Sequence, residues 1–364
     1  MRYLLALCLV ICSSFASSAQ TMDSSQGSLT LTRMASGFKT PWALGFLPDG
    51  AFLVTERRGR LYLVDEDGTK TRLSGVPRVL ADGQGGLLDV LVPRDFEQSQ
   101  EIFLTFAKAQ PRGSGTAVAR ARLDRQSSTL RDVKTIFEIA LGSSGGRHFG
   151  SRLAEGPEGA LYVTVGDRGD RPSAQNLGLY NGSILKINRD GTPAAGNPFL
   201  NDTEALPEIW SSGHRNPQGM SFDAKGRLWA VEHGARGGDE VNLIRKGRNY
   251  GWPVIAYGRH YSGGSIGEGT TKPGLEQPEH FWDPSIAPSG LMAYSGNMFE
   301  NWQGDIFVGS LKFDYISRLS GANLTELEAL KSSETKRVRD IRQAPDGSIW
   351  FISEDRGAIY RMSR

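Results

Sequence analysis

Cysteine is almost missing from this chain of 364 residues: there are two, Cys8 and Cys12, both within the first twelve positions. A disulfide scaffold and a Cys-based zinc site are therefore excluded from the bulk of the protein. Charge of one sign is missing too. Lys and Arg number 42 against 40 Asp and Glu, a net of +2, which excludes a strongly basic nucleic-acid surface. After residue 19 no run of about eighteen apolar residues exists, so no membrane span is predicted. Helical periodicity is nearly absent, the one clear stretch being Leu324–Leu330, predicted as a short helix, and α/β or doubly wound architectures are disfavoured. Neither a Gly-x-Gly-x-x-Gly after a strand nor a Gly-x-x-x-x-Gly-Lys-[Ser/Thr] loop occurs, which argues against NAD and nucleotide phosphates.

What is abundant is glycine, 45 residues or about 12% against a typical 7% or so, without a collagen period. Many tight turns, and hence many short strands, follow. Residues 1–19 read as an export signal: Arg2, the apolar stretch Leu4 to Cys12, and Ser17-Ser18-Ala19 before Gln20. A lipid-anchored alternative through Cys12 stays open, although Ile11 is a poor residue before a lipidated cysteine. The prediction is a periplasmic or secreted protein with a single domain over 20–364, as a monomer or homodimer.

The turns line up as a repeat. Pro48-Asp49-Gly50, Gly156-Pro157-Glu158-Gly159, Ala224-Lys225-Gly226, Trp302-Gln303-Gly304 and Pro345-Asp346-Gly347 each precede a strand-like apolar run, and a degenerate copy spans Leu87 to Leu123. Six units over about 345 residues give roughly 57 each, enough for a four-stranded blade and a functional loop. The predicted fold is all-β, a six-bladed β-propeller of four-stranded antiparallel blades, with Ser28–Arg33 completing the last blade. The Gly-rich segment Gly258–Gly274 reads as a long excursion above one face.

In such a ring, loops distant in sequence converge on the central channel. His148, flanked by glycines, is a candidate general base, its imidazole poised near neutrality; a structural role is the alternative. Arg215, Lys312, Arg337 and Arg339 fall in three units and would together make a pocket for a multiply anionic ligand; otherwise they are solvated charges. The loop from Glu232 to Glu240, punctuated by Gly234, Gly237 and Gly238, could turn oxygens onto a hard cation, but it lacks EF-hand spacing.

Taken in order, Gly-Gln-Gly-Gly-Leu-Leu-Asp at 83–89, His-Phe-Gly-Ser-Arg-Leu at 148–153, Gly-His-Arg-Asn-Pro-Gln-Gly at 213–219, Gly-Gly-Asp-Glu-Val-Asn-Leu-Ile at 237–244, Asn-Tyr-Gly-Trp-Pro at 249–253, Pro-Ser-Ile-Ala-Pro-Ser-Gly at 284–290 and Arg-Val-Arg-Asp at 337–340 form a specific set. With it the chain resembles the soluble quinoprotein glucose/sorbosone dehydrogenases. The resemblance implies oxidation of the C1 hydroxyl of an aldose to the lactone, with hydride transfer to pyrroloquinoline quinone (PQQ) and electrons passed to an external acceptor such as a quinone, cytochrome or dye. It implies His148 as base with Asp167 beside it, and Arg215 and Asn216 near the reactive quinone carbonyl. Gln84, Lys312, Arg337 and Arg339 match cofactor contacts, with Tyr261 and Trp282 as aromatic walls. Gly234 and Ala235 match the carbonyls of a catalytic Ca²⁺, and Glu240 and Tyr250 a second calcium site. Arg147 and the run Arg168-Gly169-Asp170-Arg171-Pro172 depart from the glucose enzyme, which has an acidic and a polar neighbour there, so the preferred sugar is left open. The competing readings are a metal-dependent propeller lactonase and a sugar-binding propeller without catalysis.

Overall fold

The computed structural model describes residues 20–364; the expected export signal at 1–19 lies outside them. Strands β1 (Gln20–Ser24) and β2 (Gly27–Ser36) are followed by blade 1, β3 (Pro41–Phe46), β4 (Phe52–Glu56), β5 (Arg60–Val64) and β6 (Lys70–Arg72). Blade 2 is β7 (Leu87–Leu91), β8 (Glu101–Gln110), β9 (Gly113–Asp124) and β10 (Thr129–Glu138); blade 3 is β11 (Leu153–Glu155), β12 (Leu161–Val165), β13 (Ser183–Ile187) and β14 (Ile209–Ser211). Blade 4 is β15 (Pro217–Phe222), β16 (Leu228–Glu232), β17 (Asp239–Ile244) and β18 (His280–Trp282); blade 5 is β19 (Pro288–Ala293), β20 (Ile306–Ser310), β21 (Ile316–Ser320) and β22 (Thr325–Leu330). Blade 6 takes β23 (Val338–Gln343), β24 (Ile349–Ser353) and β25 (Ala358–Ser363) from the end of the chain, β2 as its fourth strand and β1 as a fifth. Thr30 pairs with Ser363 and Ser36 with Ala358, so the segment predicted at Ser28–Arg33 does complete the last blade.

The first strands β3, β7, β11, β15, β19 and β23 touch in that order, and β23 returns to β3: a closed six-bladed propeller. Middle strands such as β4 (Phe-Leu-Val-Thr-Glu) and β24 (Ile-Trp-Phe-Ile-Ser) are buried along their whole length because a neighbouring blade covers each face. That is why each opens on a run of apolar residues. The turns feeding them need a residue at positive φ; Gly50 (φ 89°) and Gly347 (φ 81°) supply it.

The helix predicted at Leu324–Leu330 is instead strand β22, paired to β21 from Ser320↔Thr325 to Ile316↔Leu330. Glu326 and Glu328 turn to one face, where Glu326 accepts from Trp282 (2.9 Å), Tyr315 (3.2 Å) and Ser317 (2.5 Å) and Glu328 accepts from Arg318 (2.7 Å). These cross-strand partners override the helical preference of Leu, Glu and Ala.

At mid-channel four charges from three blades form a ring. Arg152 Nη1 lies 3.1 Å from both Asp89 and Asp340, and Arg342 reaches Asp89 (2.9 Å) and Asp340 (3.0 Å). The Arg152 guanidinium also sits 4.3 Å from the centre of the Trp42 ring. This ring is a floor. Above it lies a cavity of about 170 Å³, and below it a separate open hollow bordered by Arg342.

Candidate active site

Residues just before first strands and just after second strands crowd the upper mouth of the channel. Gln84, His148, Arg215, Asn216 and Arg337 are of the first kind; Arg57, Asp167, His233 and Lys312 are of the second. The upper cavity is walled by Trp42, Arg57, Gln84, Asn216, His233, Arg337 and Arg339, with Phe149 and Gly150 carrying the wall on from His148.

His148 stands at φ 51°, a left-handed conformation unusual outside glycine, held by a bond from its N–H to Gln84 Oε1 (2.7 Å). Its Nδ1 meets Asp167 Oδ1 at 2.6 Å, and the other Asp167 oxygen accepts from Trp252 Nε1 at 2.8 Å. Burial pushes the Asp167 carboxyl up, but bonds from His148, Gly169 and Trp252 outweigh it and hold it below the ordinary value. Burial lowers His148, with Asp167 opposing and Arg215 and Arg147 reinforcing, so the imidazole is a neutral base.

Arg215 is buried against the Trp252 ring (5.3 Å) and donates Nη1–H to the His233 carbonyl at 3.1 Å, while its Nε has no partner. Arg57 Nε is likewise unpartnered, and neither arginine has a carboxylate in an ion pair among the described residues. Asn216 accepts from Gly150 N–H (3.1 Å), and Gln218 bridges Asn216 and Arg339. Glu354 binds Arg337 (3.2 Å) and Arg339 (2.5 Å), offsetting only part of the cavity's positive charge. His233 is driven down to about 3 by enclosure and by Arg215 and Arg339, so it stays neutral. Buried unpaired cations with free donors fit a small ligand carrying several carboxylates, which is the chemistry of PQQ.

Beside this cavity a much smaller one, about 20 Å³, brings together Glu232, Gly234, Ala235, Glu240, Tyr250 and Trp252. Enclosure and the neighbouring Glu232 push Glu240 up to about 8. One amide, Asn242 Nδ2, serves both carboxylates at 3.2 Å, and Asn242 Oδ1 is left unpartnered. Two crowded carboxylates fit a hard divalent cation. Tyr250 could add only its carbonyl, because its hydroxyl donates to Leu243 O (2.6 Å) and accepts from Arg245 N–H (2.8 Å). Gly234 and Ala235 line this small cavity, and the Ala235 carbonyl already accepts from Arg259 N–H (2.8 Å). No group of three or more His, Asp or Glu side chains gathers as a metal cluster among the described residues, so a cation here would lean on carbonyl and amide oxygens.

Of the residues picked out from the sequence, Gln84, His148, Asp167, Arg215, Asn216, Arg337 and Arg339 are brought to one mouth. Lys312 is exposed at its rim, its ammonium 4.7 Å from the Phe313 ring. Tyr261 is 69% exposed on the excursion, its phenol close enough to Arg215 to act on that charge. Trp282 is not a wall of the cavity. It packs with Val241, Ile286 and Leu291 between blades 4 and 5 and donates to Glu326, because β18 presents this residue to the neighbouring blade. Trp42, Arg57, Trp252 and Glu354 escaped the sequence reading. Only Trp252 carried a signal, two residues beyond Tyr250 in the same motif.

A family model described as glucose/sorbosone dehydrogenase matches residues 38–361. An aldose sugar dehydrogenase of Escherichia coli is 40% identical over 332 residues, covering 89% of this chain and 90% of that protein. Quinoprotein glucose dehydrogenase B of Acinetobacter calcoaceticus is 27% identical over 405 residues, covering 88% and 84%. The solved PQQ-bound form of an aldose sugar dehydrogenase from Streptomyces coelicolor superposes with a TM-score of 0.76 at 29% identity, over 92% of this chain and 98% of that one.

Proposed function

Since the chain belongs to the glucose/sorbosone dehydrogenase family and is a PQQ-dependent aldose dehydrogenase, we propose that it oxidises the C1 hydroxyl of aldoses to the lactone with His148 as base and Ca²⁺ as a second cofactor. The observation that carries this reading is the His148–Asp167 pair set at the lip of a cavity lined by partly unpaired guanidinium groups. PQQ, when bound, would supply an electrophilic quinone carbonyl as hydride acceptor, with Ca²⁺ as a Lewis acid.

The protein's own part is positioning and proton transfer. Asp167 Oδ1 holds the Nδ1 side of His148, which selects the tautomer with Nε2 unprotonated. Nε2 then takes the proton of the C1 hydroxyl while C1–H leaves as hydride, and the sugar becomes the lactone. Arg215 keeps an unpartnered Nε for negative charge that builds up in the cavity. Gln84, Asn216, Arg337 and Arg339 are the donors that would hold the cofactor carboxylates. Gly234 and Ala235 would offer two carbonyls to the catalytic Ca²⁺. Glu240, with Glu232 and the Tyr250 carbonyl, would hold the second Ca²⁺. A lactonase would want several carboxylates converging on one ion in the channel, whereas this channel presents guanidinium groups. The electrons pass to an external acceptor, a quinone, cytochrome or dye, and the export signal read at residues 1–19 supports a site of action outside the cytoplasm.

Dye-linked oxidation of a panel of aldoses by the apoprotein, titrated with PQQ with and without Ca²⁺, tests the reading. Turnover should require both additions, and His148→Ala should lower kcat by roughly 10²–10⁴-fold. A folded protein that binds PQQ yet turns over no aldose would sink it.

A further inference from the structure

Resting on the dehydrogenase reading, we propose that the substrates are aldoses bearing an anionic group remote from C1, a carboxylate or a phosphate, recognised by Arg147 and Arg171. One lies beside the base, the other beside the tryptophan that holds Asp167. Arg147 directly precedes His148, is exposed, and lies along the loop that follows Asp167: a Cβ on Gly169 would stand 3.1 Å from both its Cδ and its Nε. Arg171, half-buried, has its guanidinium 5.2 Å from the Trp252 ring, the ring that binds Asp167, with Arg215 at 5.3 Å from the same indole.

Neither Arg147 nor Arg171 is in an ion pair among the described residues, although Asp82 and Asp170 are nearby; of the exposed arginines on the neighbouring loops, Arg259 is paired with Asp283 at 2.8 Å and Arg236 donates to the Tyr261 carbonyl at 3.1 Å. The side-chain partner of Arg171 is His260 Nδ1, at 3.0 Å, an imidazole nitrogen and not a carboxylate. Arg215, already buried, has its unpartnered Nε deeper in the same corner. Three cations thus gather around the cluster of His148, Asp167 and Trp252, and a neutral hexose would give the outer two nothing to neutralise. A guanidinium offers planar paired donors that match a carboxylate or phosphate, and at a partly dry rim such a contact is stronger than between fully solvated ions. An aldose reaching His148 with C1 directs its far end outward to this rim. The oxidation is that of any aldose: C1 loses a hydride and its hydroxyl a proton, and the anionic group keeps its bonds.

The test compares kcat/KM of the PQQ- and Ca²⁺-loaded enzyme for glucuronate and glucose 6-phosphate with that for glucose, in wild type, Arg147→Gln and Arg171→Gln. At low ionic strength the wild type should favour at least one charged sugar over glucose by about tenfold, and each variant should lose about five- to tenfold on that sugar with a smaller change on glucose. Raising the salt should erode the preference. A response to glucuronate alone assigns the carboxylate, and to glucose 6-phosphate alone the phosphate. PQQ titration of each variant checks that the cofactor site is intact. Turnover of neutral sugars with no charged-sugar preference, or a preference untouched in both variants, overturns this proposal and leaves the dehydrogenase reading standing. No turnover of any sugar by PQQ-loaded protein overturns both.

Discussion

His148 and Asp167 come from loops nineteen residues apart, yet their 2.6 Å contact sets the properties of both. In the cofactor-free protein the His148 imidazole should titrate below 6.5, its ordinary value, because burial outweighs the carboxylate. Asp167→Asn removes the group that raises it, so the midpoint followed by NMR should fall further; a rise would contradict the assignment. Glu354 is held below its ordinary 4.5 by Arg339 and Arg337 against the opposing push of burial. A carboxyl lowered on folding contributes stability that is full above about 4.5 and lost as pH falls through the folded value. Glu354→Gln should therefore lower the unfolding free energy by roughly 1–3 kcal/mol at neutral pH, and denaturant melts should show that gap closing as the solution is acidified below the normal carboxylate range. The basic residues of this site were legible because Arg337 and Arg339 share a short motif and His148 sits among glycines. Glu354 was not, since a lone Glu after a strand looks like any solvated charge until the fold carries it to those arginines. Trp282 misled for the opposite reason: a tryptophan two residues before the 284–290 motif faced the next blade.

Among the elements, second strands announced themselves through a turn at positive φ followed by a run of apolar residues, a pattern that burial on both faces imposes. Outer strands carried no such mark. β22 has two half-buried glutamates among exposed residues, and its Leu, Glu and Ala composition imitates a helix; the bonds that make it a strand reach residues elsewhere in the blade. Glu326 ties that edge through Trp282, Tyr315 and Ser317. Glu326→Ala should cost about 1–3 kcal/mol by leaving those donors without their acceptor, readable as a lower thermal midpoint with little change in the PQQ-binding constant. A loss of PQQ binding without loss of stability would show that blade 5 reaches the site by another route.

At the scale of the whole molecule, six repeats read from the sequence already implied a ring, and Ser28–Arg33 hinted at how it shuts. The deep floor of the channel was invisible, because Asp89, Arg152, Asp340 and Arg342 meet across three blades from positions up to 253 residues apart. The closing blade places Thr30 beside Ser363. Removing residues 358–364 should therefore abolish cooperative unfolding and PQQ uptake instead of trimming an edge, and a truncated chain that still melts as one unit would refute this. Ribosomes deliver the two partners of that seam far apart in time. β2 is made before blades 1 to 5 and β25 after them, so while those blades are translated an unpaired strand edge waits for its mate. Closure of the ring is therefore delayed until β25 has emerged, slow by its high contact order, and until then a nascent chain must be kept from pairing with its neighbours.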